Sequence, residues 1–236
     1  MCDAAHKDPC ASKLTSSEWY PRAFDIVAIA ASAGGVEALC SLLSAVPRDF
    51  PAAIVVVQHL PSAHQYRSAL CQILHRHSNL PVKWAEHGEA LQLGTIYLAP
   101  QDHHTTITGQ RTFHLDDGPK VNGSRPSADL LFASVADQFG ARAIGVVLTG
   151  TLYDGAEGAS RIVQAGGRVL TQDKASCFQF GMPEAAIRTG SVDFVLPLSM
   201  IAHALIVLVM VTGGAKWFQV GKDLALHARQ SEINIG

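Results

Sequence analysis

The sequence lacks an apolar stretch long enough to cross a membrane. Its longest apolar run, near residues 204–211, has the length of a buried helix and falls short of a bilayer span. The first 22 residues contain no apolar segment of the kind that forms the centre of a signal peptide. We therefore expect a cytoplasmic protein without membrane insertion.

The sequence also has little charge and no pattern of paired cysteines. The net charge is −2 and no run is rich in lysine or arginine, so there is no electrostatic case for nucleic-acid binding. The five cysteines form no Cys-x-x-Cys pair, and their odd number fits a reducing compartment better than a disulfide framework.

What the sequence does contain is enough apolar residues for one sizeable core. Of its 236 residues, 48% are hydrophobic and 16% charged, which suits a single α/β domain. Residues 1–22 are polar and without periodicity, which predicts a flexible leader followed by a folded domain over residues 23–212. Residues 213–236 form a tail of unassigned role, with weak helical character over residues 222–230.

From Asp25 onward, short β-rich runs alternate with helical patterns. The runs are almost continuously apolar, which is typical of a parallel sheet covered on both faces. We therefore predict a doubly wound, mostly parallel α/β fold with helices on both faces. Residues 81–117 contain short strands and turns, and we expect a small antiparallel hairpin insertion or an antiparallel edge there. Pro183 is predicted to be the first residue of a short helix that ends at Gly190.

Three strands of this predicted sheet lead to reactive side chains. Ser32 follows the first strand, His59 follows the second, and Asp154 lies in the loop after the run over residues 143–150. Ligands of open parallel sheets bind beyond the carboxyl ends of the strands. A hydroxyl, an imidazole and a carboxylate at that edge are the parts of a nucleophile, a general base and an orienting acid.

The residues around Ser32 have both a catalytic and a structural interpretation. The run Ala-Ala-Ser-Ala-Gly-Gly resembles a nucleophile elbow whose first glycine is replaced by alanine. The helix after it would point free N–H groups at the serine, so we assign oxyanion stabilisation to the N–H of Ala33 or Gly34. Alternatively, Ser32 could be a helix N-cap, His59 a hydrogen-bonded structural residue, and Asp154 a turn residue or helix cap.

The eleven histidines form no recognised metal-binding pattern. His75 and His77 are two residues apart on a predicted helix, where they would point to different faces. The loop that contains Asp102, His103 and His104 has no further ligand at a recognised spacing. We therefore predict no metal and no cofactor.

Six blocks of the sequence resemble, in order and spacing, the catalytic domain of the chemotaxis protein-glutamate methylesterase CheB. They cover about residues 24–205 and read IAASAGGVEAL, VVVQHLP, IYLAPQDHH, DDGPKVNGSRPSADLLFASVA, IGVVLTGTLYDGAEG and ASCFQFGMPEAAI. The resemblance implies a doubly wound α/β hydrolase that removes methyl groups from glutamate methyl esters and deamidates certain glutamines. Its expected partner is the cytoplasmic domain of a methylated chemoreceptor.

Carried over by position, the resemblance assigns the nucleophile to Ser32, the general base to His59 and the orienting acid to Asp154. It also places a polar loop near the site at residues 102–104, where substrate contact is implied. Arg125 falls on an arginine of the family and could pair with acidic receptor side chains or cap a surface loop.

The sequence departs from the family pattern beside the serine and in the loop before Asp154. The family's Ser-Thr-Gly-Gly is Ser-Ala-Gly-Gly here, which keeps the N–H at Ala33. The family's Thr-Gly-Met-Gly-x-Asp-Gly becomes TGTLYDG, so Thr151 replaces a methionine whose N–H serves the oxyanion hole and Leu152 replaces a glycine. These changes could weaken activity or redirect it to a different receptor sequence. Residues 178–186 are expected to shape the wall over the serine, with Met182 in that wall or in the core.

Family members commonly carry a phosphorylatable receiver domain before the esterase. Residues 1–22 leave no room for one, so we expect an enzyme that needs no phosphorylation in cis and that a separate regulatory protein could control.

Two other function classes remain open at this point. One is a serine hydrolase of the same fold with a different ester or amide substrate. The other is a non-catalytic binding module whose helix N-terminus holds a phosphate or nucleotide. The glycines of a dinucleotide-binding motif are absent and no Gly-Lys-Ser/Thr follows, which argues against the second class.

Overall fold

The computed structural model of the chain describes residues 24–60 and 65–211. The leader predicted over residues 1–22 and the tail predicted over residues 213–236 lie outside the described residues. None of the described helices has both the length and the apolar character that a membrane span requires.

The described residues form nine strands and six α-helices that alternate along most of the chain. The strands are β1 (Ile26–Ala31), β2 (Ala53–Gln58), β3 (Val82–Trp84), β4 (Ile96–Leu98), β5 (His104–Ile107), β6 (Phe113–Asp116), β7 (Ala143–Val147), β8 (Arg168–Gln172) and β9 (Phe194–Leu196). The helices are α1 (Gly35–Ala45), α2 (Gln65–Arg76), α3 (Ala128–Phe139), α4 (Ala156–Gln164), α5 (Gly181–Arg188) and α6 (Leu198–Met210).

Seven strands form one parallel sheet in the order β3-β4-β2-β1-β7-β8-β9. Strand β1 is central: the chain continues outward on one side through β2 and returns on the other through β7. The direction of winding therefore reverses between β1 and β7, and a crevice forms at the carboxyl ends of strands at such a point. This topology predicts the position of the functional site.

The sheet is packed on both faces, because the side chains of β1 alternate between two apolar clusters. On one face, Val27 and Ile29 pack with apolar residues of α1, α2 and α6. On the other, Ile26 and Ala28 pack with α3, α4 and α5. The predicted doubly wound fold is thereby confirmed.

The middle of the chain differs in part from the sequence-based expectation. Only β5 and β6 form an antiparallel pair, whereas β3 and β4 extend the parallel sheet at its edge. Three-residue strands are too short to show the apolar continuity that identifies a parallel strand. The helix expected to begin at Pro183 begins two residues earlier, at Gly181, and ends at Arg188. The N–H groups of a helix's first turn have no acceptor within the helix, so proline, which lacks an N–H, is tolerated at any position of that turn. Pro183 therefore does not mark the first residue of the helix.

Candidate active site

Ser32 lies at the first position of a tight turn between β1 and α1. The N–H of Gly35 donates to the carbonyl oxygen of Ser32 over 2.8 Å, and Gly34 has φ 76° and ψ 3°. These are the angles of the third residue of a type II turn, where glycine is strongly favoured. Gly34 is also the N-cap of α1, so the interpretation of Ser32 as the helix cap is wrong.

A second strand holds this turn in place. The N–H of Ser32 donates to the carbonyl oxygen of Thr149, beyond the end of β7, over 3.0 Å. The buried hydroxyl of Thr149 donates in turn to the carbonyl oxygen of Ala33 over 2.9 Å. The turn is therefore fixed from β7, the same strand that leads to Asp154.

His59 and Asp154 are joined by a hydrogen bond. The Nε2 atom of His59 lies 2.8 Å from Oδ2 of Asp154, whose residue is only 3% exposed. An ionised carboxylate only accepts, so Nε2 carries the proton and the lone pair of the imidazole is on Nδ1. No described hydrogen bond links His59 to the hydroxyl of Ser32, although both residues line one cavity. Catalytic contacts of this kind often tighten only when substrate binds.

The Asp154 carboxylate is seated at the N-terminus of α3. It accepts hydrogen bonds from the N–H groups of Ala128 and Asp129 and from the hydroxyl of Ser127. Burial by itself would raise the pKa of Asp154, but the hydrogen bonds from His59 and from these N–H groups outweigh it. The pKa of the carboxyl therefore lies below its ordinary value of 3.8. Asp154 is thus held ionised, which its predicted role as orienting acid requires.

A second aspartate makes the reciprocal connection. Asp129, in the first turn of α3, accepts hydrogen bonds from the N–H groups of Gly155 (3.0 Å) and Gly158 (2.8 Å), at the start of α4. Each of the two helices is therefore capped by an aspartate from the neighbouring element. Burial raises the pKa of Asp129, and the charge of Asp154 adds to this, although the hydrogen bond from Gly158 opposes both.

We expect Asp129→Ala to lower the free energy of unfolding by about 1–3 kcal/mol, because two buried N–H groups lose their acceptor. Asp129→Asn should cost less, since its amide oxygen can still accept from Gly155 and Gly158. Urea denaturation of both variants checks the difference. Equal losses would show that these two hydrogen bonds do not explain the effect.

Ser32, His59 and Asp154 line a cavity of ≈ 190 Å³ at the crevice between β1 and β7. The cavity walls also include the residues Leu60, Gln101, Asp102, Lys120, Gly123, Ser124, Arg125, Pro126, Thr151 and Leu152. The structure thus brings all three predicted relay residues to one opening.

The residues predicted to stabilise an oxyanion or to form the wall over the serine lie at different depths. The N–H groups of Ala33 and Gly34 donate to no described residue, and both residues line a second opening that Ser32 and His59 also border. Thr151 is exposed and lines the cavity. Met182 is fully buried and does not line the cavity. Its sulfur lies beneath Gly150, so close that a Cβ added to this glycine would be 2.2 Å from the sulfur. Met182 therefore belongs to the core below the site.

Arg125 has both of the features considered for it. One guanidinium nitrogen donates to the carbonyl oxygens of Asp117 (2.6 Å) and Gly118 (2.8 Å), which caps a loop. Its side chain also lines the cavity beside the exposed Lys120, so two cations border the opening.

The polar loop at residues 102–104 is divided between the cavity and the fold. Asp102 lines the cavity, whereas the side chain of His104 is buried and does not. The two ring nitrogens of His104 bond to the N–H of Ser127 and the carbonyl oxygen of Pro119. For His104, the expected substrate contact is therefore wrong. The described residues include no group of three His, Cys, Asp or Glu side chains placed to hold a metal ion.

Leu152 adopts a backbone conformation that disfavours its side chain. Its φ is 66°, in the left-handed region, and the residue is 67% exposed. Leucine pays a steric cost there that glycine avoids. This position is the one at which the sequence departs from the family's glycine.

We expect Leu152→Gly to raise the free energy of unfolding by about 1 kcal/mol, because it relieves left-handed strain. Tyr153→Gly is the matched control: Tyr153 is also exposed but does not have a positive φ, so glycine there should not stabilise. Urea denaturation of the two variants checks this. A Leu152→Gly variant no more stable than the parent would contradict the strain argument.

The family model described as CheB methylesterase matches residues 27–205. The chain belongs to the CheB methylesterase family. It is 42% identical over 192 residues to the protein-glutamate methylesterase/protein-glutamine glutaminase 2 of Methanosarcina mazei. The aligned region spans 78% of this chain and 52% of that protein. The chain is likewise 42% identical over 185 residues to the protein-glutamate methylesterase FrzG of Myxococcus xanthus, spanning 78% of this chain and 55% of that protein.

The fold comparison agrees with the CheB assignment. The crystal structure of the Thermotoga maritima CheB methylesterase catalytic domain matches with a TM-score of 0.76 and 39% sequence identity, covering 79% of this chain and 99% of that one. The resemblance seen in the six sequence blocks is confirmed. The chain spans about half the length of the curated CheB relatives it matches.

Proposed function

We propose that this chain hydrolyses glutamyl methyl esters on the cytoplasmic helices of a methylated chemoreceptor, with Ser32 as nucleophile, His59 as general base and Asp154 as orienting acid. The observation that carries the proposal is the hydrogen bond of His59 to the buried Asp154 in a cavity shared with Ser32. The names of the relatives supply the substrate class, and their second named activity adds deamidation of glutamine.

The proposed reaction begins with proton transfer from the Ser32 hydroxyl to Nδ1 of His59. The serine oxygen attacks the ester carbonyl carbon, and the N–H groups of Ala33 and Gly34 stabilise the oxyanion that forms. The protonated imidazole, stabilised by Asp154, returns the proton to the departing methoxide, which leaves as methanol. Water then cleaves the acyl-serine by the same route and releases a glutamate carboxylate.

The charges at the opening favour an acidic substrate. Lys120 and Arg125 both border the cavity and can attract carboxylates next to the target ester. Among the described residues that line this cavity, Asp102 is the one exposed carboxylate, since Asp154 is buried and hydrogen-bonded. Chemoreceptor segments with several glutamates around the methylated position fit this excess of positive charge. Because such helices lie in the cytoplasm, the proposed site of action is cytoplasmic.

The test combines a substrate assay with a chemical probe of the serine. Methanol release is measured from methylated chemoreceptor membranes and from a peptide with a glutamate γ-methyl ester, and Ser32 is challenged with a serine-directed organophosphonate. We expect methanol release and labelling at Ser32. Labelling without methanol would favour a serine hydrolase of the same fold with another substrate. Failure of both would favour the non-catalytic binding module.

A further inference from the structure

Gln58 lies between the nucleophile and the base without touching either reacting group. It is the last residue of β2 and only 4% exposed. Its Nε2 atom lies 2.9 Å from the carbonyl oxygen of Ser32 and 2.8 Å from the carbonyl oxygen of His59. A side-chain amide nitrogen carries two N–H donors, so Gln58 satisfies both carbonyls at once.

We propose that Gln58 is a positioning residue whose amide sets the distance between the Ser32 turn and the His59 loop. The last backbone hydrogen bond between the two segments runs from the N–H of His59 to the carbonyl oxygen of Ala31 over 2.9 Å. Beyond it, among the described residues, the Gln58 amide links the two segments. The inference rests on the proposed function, because positioning acts through the reactivity of Ser32.

The hydrogen bonds also fix which way the amide points. With the amide reversed, its oxygen would face the two carbonyl oxygens of Ser32 and His59, and three acceptors would repel one another. The amide oxygen instead lies against Gly35. A Cβ added to Gly35 would be 2.2 Å from this oxygen and 2.9 Å from the Cβ of Ala31. The second glycine of Ser-Ala-Gly-Gly is therefore needed for space, whereas Gly34 is needed for its positive φ.

The effect on catalysis follows from the sensitivity of proton transfer to distance. Ser32 Oγ and His59 Nδ1 must come within about 2.6–3.2 Å of each other for proton transfer. Without the amide bridge, the carbonyl oxygen of His59 loses its donor from Gln58, and that of Ser32 keeps only the N–H of Gly35. The segments that carry Ser32 and His59 are then free to separate. A displacement of about 1 Å costs roughly 100-fold in rate.

The first variant for the test is Gln58→Met, which keeps the shape but removes both donors. We expect kcat for methyl-ester hydrolysis to fall roughly 10- to 100-fold, with KM nearly unchanged. The rate of organophosphonate labelling of Ser32 should fall in parallel. Asn79→Ala is the matched control, because it also removes an amide donor from a backbone carbonyl, that of Val46, away from the site.

The second variant, Gln58→Glu, adds a readout that a purely structural role would not move. Burial beside two carbonyl oxygens should raise the pKa of the introduced carboxyl. The ionised form repels both carbonyl oxygens, whereas the protonated form donates to one of them. The labelling rate of Gln58→Glu relative to the parent should therefore rise as pH falls through that raised pKa.

Parent-like kcat and labelling rate in Gln58→Met would overturn the proposal, as would a flat relative pH profile in Gln58→Glu. The folding of Gln58→Met is verified by urea denaturation. If this variant is unfolded, Gln58→Asn takes its place, since its amide is one methylene too short to reach both carbonyls. If the parent releases no methanol but is labelled, the proposed substrate is wrong, and the labelling rates still decide the role of Gln58.

Discussion

Replacing Ser32 with alanine is expected to lower kcat for methyl-ester hydrolysis by about 10⁴-fold or more, because the substitution removes the atom that forms the acyl intermediate in the proposed mechanism. The hydroxyl of Ser32 makes no hydrogen bond to another described residue, so the fold does not depend on it. We expect the free energy of unfolding to stay within about 0.5 kcal/mol of the parent. Methanol release and urea denaturation measure the two quantities.

Ser44→Ala is the matched control for Ser32→Ala. The hydroxyl of Ser44 donates to the carbonyl oxygen of Ser41 on the exposed face of α1, and it does not line the cavity. Activity should be that of the parent. Methanol release by Ser32→Ala at the parent's rate would remove Ser32 from the reaction and, with it, the proposed mechanism.

Asp154→Asn is expected to lower kcat by about 10⁴-fold, because an amide nitrogen facing His59 favours the wrong tautomer of the imidazole. It should also destabilise the fold. The buried N–H groups of Ala128 and Asp129 and the hydroxyl of Ser127 all donate to this carboxylate, and an amide offers fewer acceptor positions. We expect a loss of about 1–3 kcal/mol in the free energy of unfolding.

The loss in stability should depend on pH in a defined direction. The pKa of Asp154 is lowered in the folded state, so its stabilisation is complete above the ordinary value of 3.8 and is lost as pH falls through the lowered pKa. The stability gap between parent and Asp154→Asn should shrink below about pH 4. Asp25→Asn is the control. Asp25 is also buried, but it pairs with Arg142 at the amino end of β1, away from the cavity, so the substitution should leave kcat unchanged. A parent-like kcat in Asp154→Asn would contradict the role of the acid.

The fold was predictable where strands were long and apolar, and less so elsewhere. Strands β1, β2 and β7 are continuously buried, and the alternation with helices predicts their parallel pairing. Strands β3 and β4 contain three residues each, too few to separate an antiparallel edge from a parallel one. Their place in the sheet depends on tertiary pairing, which sequence periodicity does not report.

The meeting of Ser32, His59 and Asp154 at one opening was predictable from strand ends, but the residues that support them were not. Ser127 precedes α3 and Asp129 lies in the first turn of that helix, a pattern that predicts only a helix cap. That signal does not reveal that Asp129 caps α4 while Asp154 accepts from α3. Gln58 is one residue before His59, yet its bridge becomes visible only when the turn after β1 is placed beside it. Contacts between loops distant in sequence leave no local pattern.

The strand order β2-β1-β7 has a consequence for when the serine can become reactive. His59 and Asp154 are 95 residues apart, and β1 must lie between their strands before the acid can reach the imidazole. During synthesis on the ribosome, Ser32 and His59 emerge well before β7, and pairings over such separations form late because closing a long loop costs entropy. Under the proposed mechanism, a nascent or partly unfolded chain therefore holds an ordinary hydroxyl, and Ser32 becomes a nucleophile only when the central three strands have assembled.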